Sequence, residues 1–135
     1  MKAIIVEDEI RSAKLLENLL RDYCPDVQLI GSASSVDAGF HLVQNNAIDI
    51  VFLDIEMQKE SGFDLLNKFE NINFEIIFTT AFEHYALKAI KFSAIDYLLK
   101  PIDIEELKAA ISKVSKNNQR HLMNKKFEIL MQNRN

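Results

Sequence analysis

Residues Glu75–Pro101 read EIIFTTAFEHYALKAIKFSAIDYLLKP. Two short apolar, β-branched runs lie in this stretch, Glu75–Thr79 and Ile95–Leu99. Between them, Glu83–Phe92 sets Ala86, Leu87 and Ile90 on one helical stripe. Strand, helix, strand is the pattern of a parallel crossover. The same alternation extends outward in both directions. Strands are predicted at Ala3–Val6, Val27–Ala33 and Ile48–Leu53. Helices are predicted at Arg11–Tyr23, with Leu15, Leu16, Leu19 and Leu20 on one stripe, and at Ser35–Gln44, with Val36, Phe40 and Val43. A shorter helix is predicted at Asp64–Glu70. The last, Asp103–Ser115, opens on an N-cap aspartate with Glu106 three residues on, and turns Leu107, Ala110, Ile111 and Val114 inward. Five such units predict an α/β fold: a five-stranded parallel sheet, doubly wound, with helices on both faces.

Composition agrees with one domain. The chain has 135 residues, is 48% apolar, and holds only three Gly and two Pro. No apolar stretch is long enough to span a bilayer, so no membrane partner is expected. The start, MKAIIVEDE, meets acids too early for a signal peptide. The single Cys24 forms no internal disulfide, and a reducing cytoplasm is the expected compartment. Residues 1–117 carry 12 Lys+Arg against 19 Asp+Glu. Residues 118–135 carry Arg120, Lys125, Lys126 and Arg134 against Glu128. An acidic body does not suit nonspecific nucleic-acid binding, and four cations on a tail read as a solvated face. Asn117-Asn118 reads as a break after the fifth helix, followed by an amphipathic segment with Leu122, Met123, Phe127 and Leu130.

The chemistry lies at the strand ends. Open parallel sheets bind ligands outside the C-terminal edge of their strands. There the first strand runs into Glu7-Asp8-Glu9, the third into Asp54, the fourth into Thr79-Thr80 and the fifth into Lys100-Pro101. Asp54, leaving a buried strand, can attack phosphorus and become an acyl phosphate. Glu7 and Asp8 would crowd it with like charge, which calls for a counter-ion. Mg²⁺ suits an all-oxygen set that also receives phosphate. Asp8 is assigned to the metal directly, Glu7 as a secondary ligand, and Glu9 to the helix start. Lys100 supplies a compact cation for phosphate, and Pro101 makes a fixed turn, with the Lys-Pro bond cis, that aims it. Each residue alone has a bland reading as a cap, a strand threonine or a surface lysine. Together, at four strand ends in order, they point to one pocket.

These residues, with FTTAFEHYALKAIKFSAIDYLLKPI (Phe78–Ile102), LDIEM (Leu53–Met57) and SGFDLL (Ser61–Leu66), resemble the receiver domain of two-component response regulators. The resemblance covers Met1 to about Lys116 and is closest to the receiver of LytTR-type transcription regulators. It implies the flavodoxin-like strand order 2-1-3-4-5. It implies phosphorylation of Asp54 by a sensor histidine kinase, with Mg²⁺ on Asp8, Glu7, Asp54 and the Glu56 backbone carbonyl. The family's Thr-Ala pattern selects Thr80 as the phosphoryl-binding hydroxyl. It makes Thr80 and Tyr97 the switch, with Tyr97 filling space that Thr80 vacates. The fourth helix, fifth strand and fifth helix become an output face and a possible homodimer contact. In that face His84, Lys88 and Lys91 would meet Asp96 and Asp103. Residues 1–117 are then the receiver, and 118–135 a helical extension or linker towards an output domain through which alone DNA is bound.

Three positions depart from the pattern. Glu7 stands where aspartate is common. Gln58 stands where proline usually follows Met57, which predicts a looser loop over 58–62. Phe82 follows Thr-Ala where many receivers are polar, an aromatic being frequent in this subtype. Other readings fare worse. A P-loop or dinucleotide fold needs a Gly-rich loop after the first strand, where this chain has EDEIRS. Mg²⁺-dependent hydrolases usually place the nucleophilic aspartate after the first strand. His41, His84, His121 and Cys24 have no zinc spacing. A receiver-fold interaction module working without phosphorylation remains the alternative.

Overall fold

The central strands show why the chain folds as it does. In the computed structural model, which describes residues 1–132, β3 (Ile50–Leu53) is buried at all four positions. β1 (Lys2–Val6) and β4 (Glu75–Thr80) are buried almost throughout. Unbroken apolar runs suit strands covered on both faces. β2 (Gln28–Ala33) and β5 (Asp96–Leu99) are the less buried edges. The order is β2-β1-β3-β4-β5, every pair parallel, as the receiver resemblance implied.

Side chains alternate between two cores. Ile4, Val6, Val51, Leu53, Ile76 and Phe78 face α2 (Val36–Asn45), α3 (Gly62–Leu66) and α4 (Ala86–Lys91). Ala3, Ile5, Ile50, Phe52, Ile77 and Leu98 face α1 (Ile10–Tyr23) and α5 (Ile104–Gln132). Helix starts follow their sequence signals. Ser35 caps α2 through Ala38 N–H, Ser61 and Asp64 form a capping box on α3, and Asp103 accepts from Glu106 N–H at 3.0 Å.

Three expectations are corrected. In α4 the buried residue is Ala89, while Leu87 and Ile90 are 80% and 69% exposed. The helix is only six residues long and rests on the sheet through its smallest side chain. α5 does not break at Asn117-Asn118 but continues to Gln132. Asparagine costs a helix well under 1 kcal/mol, and here Asn117 Nδ2 donates to Glu75 Oε1 at 2.6 Å, docking the helix on β4. Beyond it Leu122, Met123, Phe127 and Leu130 are exposed. Residues 133–135 of the expected extension, Arg134 among them, lie outside the described residues. The loop over 58–62 is not loose. Met57 N–H donates to Glu60 O at 3.1 Å, Glu56 bridges Ser61, and Glu60 Oε2 accepts from Val36 N–H at 3.0 Å.

Gly62 positions this loop against β3. Its N–H donates to Ile55 O at 2.8 Å, and a β-carbon there would lie 2.1 Å from the Asp54 carbonyl oxygen. Backbone cannot yield as a side chain does. Gly62→Ala is expected to cost about 2–3 kcal/mol, read from the urea unfolding midpoint. An unchanged midpoint would mean that the loop retreats freely.

Candidate functional site

The register sets the strand ends level: Val6 pairs with Leu53, and Thr80 with Leu99. The next residues therefore leave the sheet together at one edge. Backbone bonds hold them there. Glu7 N–H donates to Ala33 O at 2.9 Å, Asp54 N–H to Val6 O at 3.0 Å and Lys100 N–H to Thr80 O at 2.8 Å.

Glu7, Asp8 and Asp54 each bring a carboxylate oxygen to within 4.8 Å of the others. Glu7 and Asp54 are each only 5% exposed. Lys100 Nζ donates to Glu7 Oε1 and stands 3.5 Å from Asp54 Oδ2. One ammonium thus contacts two of the three acids. Ile55 N–H donates to Asp54 Oδ1 at 2.8 Å, and Glu9 N–H to Glu7 Oε2 at 3.2 Å. Burial, then the neighbouring Glu7 carboxylate, push the Asp54 carboxyl up to about 7, against the pull of Lys100 and the Ile55 N–H.

The donor set fits a hard divalent cation. All three side chains offer oxygen, and the excess negative charge that Lys100 leaves over is what such an ion would offset. Glu56 is exposed beside them. With Asp8, Arg11, Gln58 and Phe82 it lines an open cleft of about 750 Å³.

Thr80 is fully buried, and its hydroxyl oxygen accepts from Phe82 N–H at 3.3 Å. Tyr97 is partly buried, with its ring 6.2 Å from Phe78, and its hydroxyl donates to the Phe82 carbonyl. The Lys100–Pro101 peptide is cis. So Glu7, Asp8, Asp54 and Lys100 come together, and Thr80 and Tyr97 both meet the Phe82 backbone next door. Sequence reasoning missed the place of Gly62 under Asp54 and the use of Phe82 as a backbone anchor. A glycine eight residues past a strand-end acid was the available signal for the first; a backbone carbonyl has none.

The family model of the response regulator receiver domain matches residues 3–112. The chain belongs to the response regulator receiver family. The receiver is 35% identical over 121 residues to the sensory transduction protein LytT of Bacillus anthracis, covering 88% of this chain and 49% of that protein. It thus spans about half the length of the curated relatives it matches. Among solved structures it is similar to the response regulatory domain of mrkE from Klebsiella pneumoniae, at TM-score 0.79 and 28% identity, covering 89% of this chain and 99% of that one. It is also similar to TrrA from Thermotoga maritima, solved in complex with Mg²⁺-BeF, at TM-score 0.73 and 25% identity, covering 84% and 97%. The receiver is thus a signal-transducing domain of two-component systems, of the LytT/LytR kind. No helix among its described residues is long and apolar enough to cross a membrane.

Proposed function

We propose that this receiver takes a phosphoryl group on Asp54 from a sensor histidine kinase in the cytoplasm. The observation that carries the reading is a buried aspartate at the sheet edge, with an ammonium 3.5 Å away and two further carboxylates around it. An Asp54 oxygen attacks phosphorus, the phosphorus–nitrogen bond of the phosphohistidine breaks, and the imidazole nitrogen keeps the electron pair. The product is an acyl phosphate. Lys100 turns from the carboxylates to the new phosphoryl oxygens, joined by the Thr80 hydroxyl. Asp8, Glu7, Asp54 and the Glu56 carbonyl would hold Mg²⁺. A bound Mg²⁺ supplies charge neutralisation between the attacking carboxylate and the phosphoryl oxygens.

The test compares two adjacent acids. Asp8→Ala should slow Mg²⁺-dependent uptake from acetyl phosphate on the order of 10–100-fold. Glu9→Ala, at the start of α1, should leave it nearly unchanged. Equal losses would show a general negative patch and sink the assignment.

Drawing Thr80 toward a phosphate frees Phe82 N–H, and with it the backbone that anchors the Tyr97 hydroxyl. The face of α4, β5 and α5 is then repacked, a local charge event biasing two arrangements. Output follows through a DNA-binding domain beyond the receiver, and 118–135 act as its linker. The same face is a homodimer contact, in which two of the charges expected to pair between copies are engaged within the chain. Asp96 is held by Lys113 at 2.9 Å, and Lys88 lies 4.6 Å above the Phe63 ring. Exposed Leu87 and Ile90 are the better contact. Sedimentation with beryllofluoride should show dimers from the full chain and from Met1–Lys116 alike. Loss of the dimer with the tail would assign association to Phe127 and its neighbours.

A further inference from the structure

One contact at the edge of the site has no part in the chemistry so far. The Gln58 backbone N–H donates to Asp8 Oδ2 at 2.6 Å, across fifty residues of sequence. Its surroundings make it a built contact. Met57 N–H on Glu60 O, the Glu56–Ser61 bridge and the Ser61–Asp64 capping box close the loop on itself. Glu60 Oε2, taking Val36 N–H at 3.0 Å, ties that loop to the start of α2. The Gln58 amide is therefore aimed by bonds on both sides of it. The side chain of Gln58 is exposed and is not the donor.

Asp8 needs such a partner more than its neighbours do. Glu7 and Asp54 are buried and are held by Lys100 and by the N–H groups of Glu9 and Ile55. Asp8 is only half-buried. A carboxylate has two oxygens with about four acceptor sites. Fixing one oxygen on an amide sets the rotation of the group and leaves the other free. Hydrogen-bond partners behind metal ligands act in this way, and their loss typically costs about 10–100-fold in metal affinity.

We propose that the Gln58 backbone N–H is a positioning donor that turns Asp8 to share a divalent cation with Glu7 and Asp54. The proposal rests on the cation reading given above. It assigns the role to the amide and not to the glutamine side chain. The proline usual at this position in the family lacks the N–H, so the donor is a departure particular to this chain; Gln58→Pro would remove the contact and Gln58→Ala would keep it.

Calorimetric Mg²⁺ titration of the full chain separates the cases, with Asp8→Ala as the reference for loss of the site. Gln58→Ala should bind within about two-fold of the unaltered protein, and Gln58→Pro about ten-fold more weakly. In nuclear magnetic resonance spectra the Gln58 amide proton should stay far downfield at Mg²⁺ saturation, because the bond persists behind the cation. Gln58→Pro binding Mg²⁺ as tightly as the unaltered protein, or more tightly, overturns the proposal. Should Gln58→Pro not fold, the amide signal decides alone: an upfield shift on Mg²⁺ binding means that the bond competes with the cation. If the unaltered protein and Asp8→Ala both take up no Mg²⁺, the cation reading fails and this one with it.

Discussion

Asp54→Asn is expected to make the metal-free protein more stable at pH 8, not less. Asp54 is 5% exposed, and its carboxyl is pushed up to about 7, first by burial and then by Glu7. In the unfolded chain the same group titrates near its ordinary value of about 3.9. Between these values the folded state holds a proton that the unfolded chain has released. Stability therefore falls as pH rises from about 4 to about 7, and the full penalty stands above that. Asparagine carries no such penalty. Its carbonyl can still accept from Ile55 N–H, and Lys100 keeps Glu7. In EDTA the variant should gain on the order of 1–4 kcal/mol at pH 8 and almost nothing at pH 4. Chemical denaturation at the two pH values reads the difference. Added Mg²⁺ should narrow it, since a cation bound only by the folded wild-type protein stabilises that protein. A variant less stable than wild type at pH 8 would mean that Lys100 needs Asp54 as an ion-pair partner.

The sheet was legible because its strands are continuous apolar runs ending in polar residues. Ile50–Leu53 followed by Asp54 permits little else. The acid cluster was legible for the same reason: strand ends are the one place where a parallel sheet gathers distant residues. The least legible element was α4. Its apolar positions, Leu87 and Ile90, carry a proper helical period yet face solvent, because periodicity reports a stripe and not what covers it. Asn117-Asn118 misled because propensity is weak against a docked side chain, here Asn117 on Glu75. The contacts of Gln58 N–H with Asp8 and of Tyr97 with the Phe82 carbonyl use backbone groups that every residue possesses. No side-chain pattern announces them.

The second large effect is the loss of phosphoryl uptake when Asp54 is replaced. Three acids share the pocket, and only one is equipped as the nucleophile. Glu7 is tied to Lys100 and to Glu9 N–H, and Asp8 to Gln58 N–H. Asp54 leaves the fully buried strand β3, and its Oδ1 accepts from Ile55 N–H. It also has Lys100 Nζ 3.5 Å away, within reach of phosphoryl oxygens formed upon it. Asparagine keeps the shape and removes the nucleophile. The decisive measurement is intact-protein and peptide mass spectrometry after incubation with acetyl phosphate and Mg²⁺. The wild-type chain should gain a single phosphoryl group, mapped to Asp54, and Asp54→Asn should gain none. An Asp54→Asn protein labelled as fully as wild type would contradict the account.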